Sequence, residues 1–565
     1  MKRNKCFWIF SFLIWMAASV MPVFADSAAS KILEEIAIQN NGRMKPFQTF
    51  ARETALQVTG KSSWENLDAT ELVWNWMANP EKWNQQPMIP VSFRPLRKEF
   101  PNMLVQNRLS PELILGHRPF LDQVEISFEK QRRKENLSSI EKERLSLYNK
   151  AAAFREIGMG AQPGWLPDPE NTAAGWMSLQ VLASAEGMQK ITKHYSPEKM
   201  EGFRKTLSSL IQIVASPSGF AASDAEKSAR EFSSALDALR ESAGIHLDQK
   251  MIHYELLYHR AHFFQKAWML YLAGLFIFLL SMKIKNPALH WGGIAFVAAG
   301  FLFHTYGFYL RCVIAGRPPV SNMYESIVWV SWAAVLFSVP IFWAYRNGTI
   351  PAAASAVAAF ALMIADSFPV FLDPHVSPLV PVLRSNLWLT VHVLTITMSY
   401  GAFLLAWGLG HVVIVSYALR PQAKDQNLEL VQFLYRALQI GVILLAAGTV
   451  LGGVWANYSW GRFWGWDPKE TWALIALLGY LAVLHGRYTG WLDAFGLAAA
   501  SAVAFALVIM AWYGVNFVLA AGLHSYGFGG GGAPYVLSVV LADLALIGAF
   551  SLVYQQKQKT LARRS

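Results

Sequence analysis

The densest group of chemically useful residues is one short segment, WANYSWGRFWGWDPKETW, from Trp455 to Trp472. Aromatic rings stack on flat apolar ligands, and arginine or lysine pairs with carboxylates. Five indoles among cations therefore predict a shelf for a large, flat, anionic ligand such as a porphyrin, whereas simple membrane anchoring accounts for only one or two of them. Glycine and proline within the segment favour an ordered turn over a helix. The predicted shelf comprises Trp455, Trp460, Trp464, Trp466, Asp467 and Trp472, with Arg462 and Lys469 at its rim.

Two histidines flank this tryptophan shelf along the chain, His392 before it and His524 after it. Neutral imidazole is a common axial ligand of haem iron. A single isolated histidine is better explained by packing or hydrogen bonding. Two histidines predict a pair of ligands if they lie on the same side of a membrane as an aromatic shelf, and the charge distribution described below places both there. His485 ends a later apolar stretch, where it is either a further haem ligand or an interfacial residue. Other histidines within or close to apolar stretches are His290, His304 and His411.

The composition is that of a membrane protein with one polar section. Of the 565 residues, 54% are hydrophobic and 15% are charged, which is a low charged share for a soluble chain. The net charge of +11 is better explained by basic loops that set membrane orientation than by nucleic-acid binding. The two cysteines, Cys6 and Cys312, form no CxxC pair. The sequence therefore gives no support for thiol oxidoreductase chemistry.

The N-terminal part predicts export followed by a polar domain. Basic residues precede the apolar stretch from Cys6 to Val20, and small residues near position 25 suit a cleavage site. Residues 1–25 are therefore a signal peptide or an uncleaved anchor, and either one delivers the following residues to the outside. Residues 26–262 predict a mostly helical extracytoplasmic domain without metal-ligand spacing, nucleophile triad or phosphate loop. Its basic and aromatic segment 42–53 has no assigned role.

Nine apolar stretches follow, near 267–282, 288–310, 326–345, 351–369, 387–417, 434–455, 472–488, 495–515 and 535–554. Most reach the roughly 20 residues that cross a bilayer, and backbone groups in lipid must pair within helices. The predicted fold class is therefore all-α, a polytopic helix bundle within residues 267–554.

The distribution of basic residues predicts which side each loop faces, because cytoplasmic loops carry the excess of lysine and arginine. With residue 266 outside, the inner loops carry Lys283, Lys285, Arg346, Arg420, Lys424, Arg436, Arg487, Lys557, Lys559, Arg563 and Arg564, and the outer loops carry Arg311, Arg317, Arg384, Arg462 and Lys469. The shelf, His392 and His524 then face outward, and residues 555–565 form a basic cytoplasmic tail.

Three segments carry a family resemblance. The run WGRFWGWDPKETWALIALLGYLAVLHGR from Trp460 to Arg487, followed by GLHSYG from Gly522 to Gly527, resembles the CcsA/ResC family of cytochrome c biogenesis proteins, within the haem-handling group that has a tryptophan-rich WWD motif. The segment LRCVIAGRPPVSNMYES, from Leu310 to Ser326, is similar to the family's outer-loop signature. Three motifs in the right order make the resemblance specific, and it covers about 267–554.

The resemblance implies a function and a set of partners. Family members carry haem b to the outer face of the bacterial inner membrane and present it to an apocytochrome c, whose CxxCH cysteines add to the vinyl groups. His392 and His524 match the external axial ligands and His485 matches the transmembrane histidine. Arg462 and Lys469 would pair with propionates, whereas Asp467 is given no catalytic role, since capping the turn explains it equally well.

Two features depart from the family pattern or lie outside it. In fused family members a second transmembrane histidine comes from a ResB/CcsB-like part, which is absent from the N-terminal section here. A separate ResB/CcsB-like subunit is the favoured source, and His304 is the local alternative. The domain at 26–262 lies outside the resemblance, and its location suggests docking of the apocytochrome or the partner.

Three classes of function compete. Haem presentation within a cytochrome c synthase explains the shelf, the histidine pair and their common side. A haem-bearing electron-transfer subunit would place its histidine pair across helices within the bilayer. A solute transporter would bind its substrate near the midplane at broken helices, which leaves the tryptophan segment unexplained.

Overall fold

The computed structural model describes residues 27–563 except 134, 169–174, 185–188, 190–191, 285, 319, 369–371, 377–386, 423 and 520–531. The signal or anchor segment 1–25 and His524 therefore lie outside the described residues. The described chain divides at His262 into two compact units, a polar unit before it and a membrane unit from it onward.

The polar unit is mostly helical, as predicted, with two small sheets. Its helices are α1 (Ala28–Glu34), α2 (Phe47–Thr59), α3 (Ala69–Ala78), α4 (Pro80–Asn84), α5 (Arg94–Arg97), α6 (Pro111–Gly116), α7 (Arg118–Arg132), α8 (Ser139–Gly158), α9 (Leu179–Ala183), α10 (Pro197–Ala215), α11 (Ala225–Ser242) and α12 (Gln249–Ala261), with a 3₁₀ turn at Gly219–Ala221. Its strands are β1 (Ala37–Asn40), β2 (Arg43–Pro46), β3 (Ile89–Pro90), β4 (Arg108–Leu109), β5 (Gly164–Leu166) and β6 (Met177–Ser178). The sheets have the orders β2-β1-β5-β6 and β3-β4, and every pairing is antiparallel.

The basic and aromatic segment 42–53 has a structural explanation. Arg43 in β2 forms a bidentate ion pair with Glu255 of α12, in which Nη2 lies 2.8 Å from Oε1. Phe47 at the start of α2 is fully buried and stacks on Trp165 at a centroid distance of 5.7 Å. The cation and the ring therefore join the first sheet and α2 to the core of the polar unit.

A buried arginine connects helix α11 to the four-stranded sheet of the polar unit. Arg240 of α11 donates from Nη2 to the carbonyl oxygens of Ala37 at 2.6 Å and Trp165 at 2.9 Å. Burial lowers the pKa of this guanidinium to about 10, and Asp237 partly opposes that shift. The guanidinium thus occupies two backbone acceptors that would otherwise be buried without a partner.

The membrane unit consists of long helices and one π-helical segment. The helices are α13 (Phe263–Ile284), α14 (Pro287–Ala315), α15 (Met323–Tyr345), α16 (Thr349–Ser367), α17 (Leu387–Leu419), α18 (Lys424–Trp460), α19 (Pro468–Tyr488), α20 (Ala494–Ile509) and α21 (Ala533–Ala562), and the π-helix is Met510–Leu519. Helices α17 and α18 form the most extensively packed pair.

Eight of the nine predicted spans correspond to helices that are long and apolar enough to cross a bilayer. The exception is α19, because Lys469 and Glu470 begin it and His485 and Arg487 end it. Its 21 residues nevertheless extend about 31 Å at 1.5 Å per residue, close to the roughly 30 Å of hydrocarbon. The all-α polytopic fold class is confirmed, and the predicted sidedness stays a prediction.

Candidate functional site

His392 is fixed where α17 crosses α18. Its Nδ1 lies 2.7 Å from the carbonyl oxygen of Gly448, and since a carbonyl only accepts, Nδ1–H donates and Nε2 carries the lone pair. A Cβ on Gly452 would lie 2.6 Å from the His392 ring, and one on Gly448 would lie 2.8 Å from Ile396 Cα. Two glycines four residues apart therefore let the helices approach and let the imidazole lie between them.

The tryptophan segment is partly helix and partly ordered turn. Helix α18 continues to Trp460, so residues 456–460, which follow the predicted span 434–455, are helical instead of part of the ordered turn. The turn then uses positive φ at Gly461 (+69°) and Trp466 (+58°). Asp467 caps α19 in a capping box with Glu470, which agrees with the capping role considered for it.

Glu470 fixes the shape of this turn. Its carboxylate accepts from the backbone N–H of Gly465 at 2.8 Å and of Asp467 at 3.2 Å. It also lies 3.1 Å from Nη1 of Arg462. One largely buried carboxylate therefore fixes the backbone on both sides of Trp466.

Four of the five indole rings form two edge-on pairs instead of one flat shelf. Trp455 is fully buried, lies parallel to the His392 ring at 6.4 Å and meets Trp460 edge-on at 4.6 Å. Trp464 and Trp466 are perpendicular at 5.9 Å, and Trp466 is 70% exposed. The Trp455 indole therefore packs alongside the His392 imidazole, and these rings form no single flat shelf.

A cleft brings the predicted residues together with some that the sequence did not indicate. Its cavity volume is about 180 Å³, and it is partly open to the surroundings. From the predicted set it is lined by His392, Trp455, Trp464 and Lys469, and from outside that set by Glu470, Trp512, Asn516 and Phe517, with residues 320–323 and Ser326 forming another wall. The remaining predicted residues Trp460, Trp466, Trp472, Asp467, Arg462 and His485 are not among those that line it.

The two cations predicted for carboxylates differ in placement. Lys469 lines the cleft, and its Nζ lies 3.5 Å from the carbonyl oxygen of Trp512. Arg462 pairs with Glu470, and its guanidinium lies over the Trp460 ring at 5.5 Å. Lys469 is therefore the better placed cation for an anionic group in the cleft.

The cleft wall formed by residues 320–326 is held by a buried ion cluster. Glu325 pairs with Arg311 at 2.9 Å and with Arg317 at 3.2 Å, and the side chains of Glu325 and Arg311 are almost fully buried. Arg311 also donates to the carbonyl oxygen of Pro374 at 2.8 Å. Ser326 accepts the Trp512 indole N–H at 2.9 Å. The segment Leu310–Ser326 therefore positions the cleft.

The other histidines lie elsewhere. His485 is exposed near the end of α19, beside Tyr488 and Trp491. His304 is fully buried, with Nδ1 at 3.2 Å from Tyr271 Oη and Nε2 at 3.0 Å from the Val328 carbonyl oxygen. Both nitrogens of His304 thus serve helix packing, which argues against its use as a substitute ligand.

Comparison with known proteins decides the family. The family model described as "Cytochrome C assembly protein" matches residues 320–524. The protein CcsA of Prochlorococcus marinus strain NATL1A, described as a cytochrome c biogenesis protein, is 34% identical over 270 residues, which cover 41% of this chain and 84% of CcsA. The chain belongs to the CcsA-type cytochrome c assembly family. The resemblance found in the sequence is thereby confirmed.

The chain is also similar to a second curated protein over most of its length, and one solved structure was matched. Protein NrfI of Wolinella succinogenes is 30% identical over 528 residues, covering 88% of this chain, and the chain spans 55% of the length of NrfI. The solved structure of the cytochrome c haem lyase CcmF has 20% identity and a TM-score of 0.36, covering 51% of this chain and 50% of CcmF. The NrfI alignment includes most of the polar unit as well as the CcsA-type part.

Proposed function

We propose that this chain acts in cytochrome c maturation, where it holds haem b at the outer face of the bacterial inner membrane and takes part in its thioether attachment to apocytochrome c. The observation that carries the proposal is His392, fixed in one tautomer beside Trp455 in a cleft that a cation also lines. Family membership supports the same function.

The lining residues fit a haem. Nε2 of His392 carries the lone pair that an iron ligand needs, and Trp455 and Trp464 supply apolar rings. Lys469 would pair with a propionate, with Arg462 at the rim of the segment. His524 would supply the second axial ligand, by its match to the family motif. Haem itself supplies the iron and the two vinyl groups.

The residues of this chain would act by orienting the two reactants, and no catalytic acid or base is assigned among them. Each cysteine thiol adds across a vinyl double bond, forming a sulfur–carbon bond and placing hydrogen on the other vinyl carbon, so no group leaves. Such an addition depends on the orientation of two reactants. The chain would act as part of a cytochrome c synthase in which ligands and indoles hold one porphyrin edge toward the CxxCH motif.

A separate ResB/CcsB-like membrane subunit would complete the inner haem site. His485 supports this part of the proposal because it is exposed near the end of α19, where a second helix can reach it. We expect the subunit to co-purify with this chain, and we expect the complex to lose haem when His485 is replaced in His485→Ala. Full haem content in that variant would contradict the assignment.

The polar unit is proposed to dock the apocytochrome or the partner. The test is a chain that lacks residues 27–248. If this chain still binds the partner and matures cytochrome c normally, the docking role is contradicted.

The central test measures covalent haem on a co-expressed CxxCH reporter. We expect His392→Ala to abolish attachment and to change the absorption spectrum of haem bound to the purified protein. His290→Ala is the matched control. This histidine does not line the cleft of His392 but a separate cavity, which His411 also lines. Unchanged attachment and an unchanged spectrum in His392→Ala would refute the proposal.

A further inference from the structure

Three turns between membrane helices meet at a second cavity, which we call the turn cavity. The turns join α13 to α14, α15 to α16 and α17 to α18, and they contribute Asn286, residues 347–349 and Arg420 to its lining. His411 also lines the turn cavity and lies about 28 Å along α17 from His392, at 1.5 Å per residue. The turn cavity is therefore at the other end of the bundle from the cleft, at the depth where turns leave the hydrocarbon for the headgroups.

The turn cavity is large and has both apolar and polar walls. Its volume is about 820 Å³, and it is partly open to the surroundings, within the roughly 300–1,000 Å³ of ligand sites. Phe278, Met282, Leu419 and Leu430 supply apolar walls. Met282 is 59% exposed and Leu419 is 56% exposed. Apolar chains of a bound molecule can therefore leave the cavity over these two side chains into the surrounding lipid.

Two opposite charges line the turn cavity without meeting each other. Arg420 follows the end of α17, and Glu429 lies near the start of α18. In the described part of the chain, neither side chain has an ion-pair partner within 4.0 Å. Asn347 donates from Nδ2 to Oε2 of Glu429 at 3.1 Å, and its Oδ1 accepts the backbone N–H of Thr349 at 2.9 Å. The carboxylate is thereby oriented, and the two charges suit a ligand that carries both signs.

The histidines of the turn cavity, His290 and His411, do not form a metal site. Nδ1 of His411 lies 2.9 Å from the Trp407 carbonyl oxygen, and its Nε2 lies 2.8 Å from Oδ1 of Asp543. Both of its nitrogens therefore already have partners within the protein. Within the residues that the structure describes, no three histidine, cysteine, aspartate or glutamate side chains could together hold a metal ion.

We propose that the turn cavity binds a phospholipid with an ethanolamine headgroup, whose phosphate meets Arg420 and whose ammonium meets Glu429. A primary ammonium has three N–H donors for the carboxylate, whereas choline has none and glycerol carries no positive charge. The acyl chains leave the cavity over Met282 and Leu419. Basic pockets between membrane helices are known sites for lipid headgroups. This site is separate from the cleft and does not depend on the function proposed for it.

The test measures lipid binding to the full-length protein, purified in detergent and freed of lipid. Three phospholipids with identical acyl chains and ethanolamine, choline or glycerol headgroups are titrated, and native mass spectrometry counts the lipid retained. We expect the ethanolamine lipid to bind about tenfold more tightly than the others, because it alone donates hydrogen bonds to a charged partner at each end. Free phosphoethanolamine should compete only weakly, because it lacks the apolar chains.

Two variants assign the charges. Glu429→Gln keeps an oxygen for Asn347 but removes the negative charge, and it should abolish the preference for ethanolamine over glycerol. Arg420→Gln should weaken all three phospholipids about two- to fivefold, a modest loss because the arginine is exposed. Arg346→Gln is the matched control, since Arg346 ends α15 at the same end of the bundle but lies over the Trp343 ring and does not line the cavity. It should bind lipid as wild type does.

The wild-type protein alone can overturn the proposal, without any variant, if it binds the three phospholipids equally. An ethanolamine preference that survives in Glu429→Gln also overturns it, because the carboxylate would not be the partner of the ammonium. Equal affinities in Arg420→Gln and Arg346→Gln would remove the phosphate from Arg420. Free phosphoethanolamine that competes as well as the lipid would show that the ligand is a small zwitterion and would overturn the assignment to a phospholipid.

Discussion

Gly452→Ala tests whether the position of His392 governs haem binding. A Cβ at residue 452 would lie 2.6 Å from Cε1 and 2.9 Å from Nδ1 of His392, closer than such atoms approach. The imidazole must then turn away, which breaks its 2.7 Å hydrogen bond to Gly448. Overpacking of this kind costs about 1–3 kcal/mol, and we expect haem affinity to fall about 5- to 150-fold at 1.4 kcal/mol per tenfold.

Gly548→Ala on α21 is the control, because a Cβ at residue 548 would meet no atom within 4 Å. Both changes add one methyl group to a membrane helix and gain similar helix propensity, about 1 kcal/mol. The assay is haem titration of the purified protein, followed by absorbance. Equal affinities and spectra in the two variants would show that His392 either does not ligate the iron or does not need its hydrogen bond, and would refute the reasoning.

Three other predictions address the cleft wall and the polar unit. Glu325→Gln leaves Arg311 buried without its carboxylate, and a cost of about 3–5 kcal/mol should lower the thermal unfolding midpoint in detergent; an unchanged midpoint would contradict the buried pair. Trp512→Phe removes the indole hydrogen bond and should weaken haem binding about two- to tenfold, from about 0.5–1.5 kcal/mol, whereas unaltered affinity would show that this wall is not used. Arg240→Met leaves two carbonyls unpaired, and about 2–5 kcal/mol should lower the urea concentration at which residues 27–261 become protease-sensitive. Arg230→Met, at an exposed ion pair, should leave that concentration unchanged.

The sequence predicted the helices of the membrane unit because span length follows directly from bilayer thickness. It predicted α19 even though the charged ends of that helix lower its average hydropathy. The strands of the polar unit were missed, since segments of two to four residues show no alternation that a pattern can reveal. The hydrophobic pattern of the sequence therefore predicted the helices, whose length or periodicity is set by lipid or solvent. It did not predict the short strands, which are defined only by their hydrogen bonds to neighbouring strands.

The sequence predicted several residues of the candidate site but not how their side chains are arranged. Residue type and order indicated His392, Trp455 and Lys469, which the fold brings to one cleft. Ring orientation depends on where α18 ends, and this end at Trp460 is set by the turn that Glu470 holds. No sequence pattern fixes the angles between the indole rings, so the prediction of one flat shelf was wrong.

Trp512 was missed because it lies in the predicted span 495–515, and Asn516 because it directly follows that span in an apolar run. The signal was present in Asn516, a polar residue within an apolar run shortly before the GLHSYG motif. The π-helical winding from Met510 to Leu519 changes which side chains share a face, and such segments are frequent at functional sites. A helical wheel of ordinary period could not have shown this.

The carbonyl that orients His392 has a consequence for how firmly a metal would be held. A histidine whose other nitrogen donates to a carboxylate becomes a more basic, more electron-rich ligand. Gly448 offers a backbone carbonyl instead, which fixes the direction of the ring without adding a negative charge behind it. The carbonyl orients the imidazole but strengthens it as a ligand less than a carboxylate would, and a metal bound to it would exchange more readily. Such a ligand suits a carrier that must surrender its cargo.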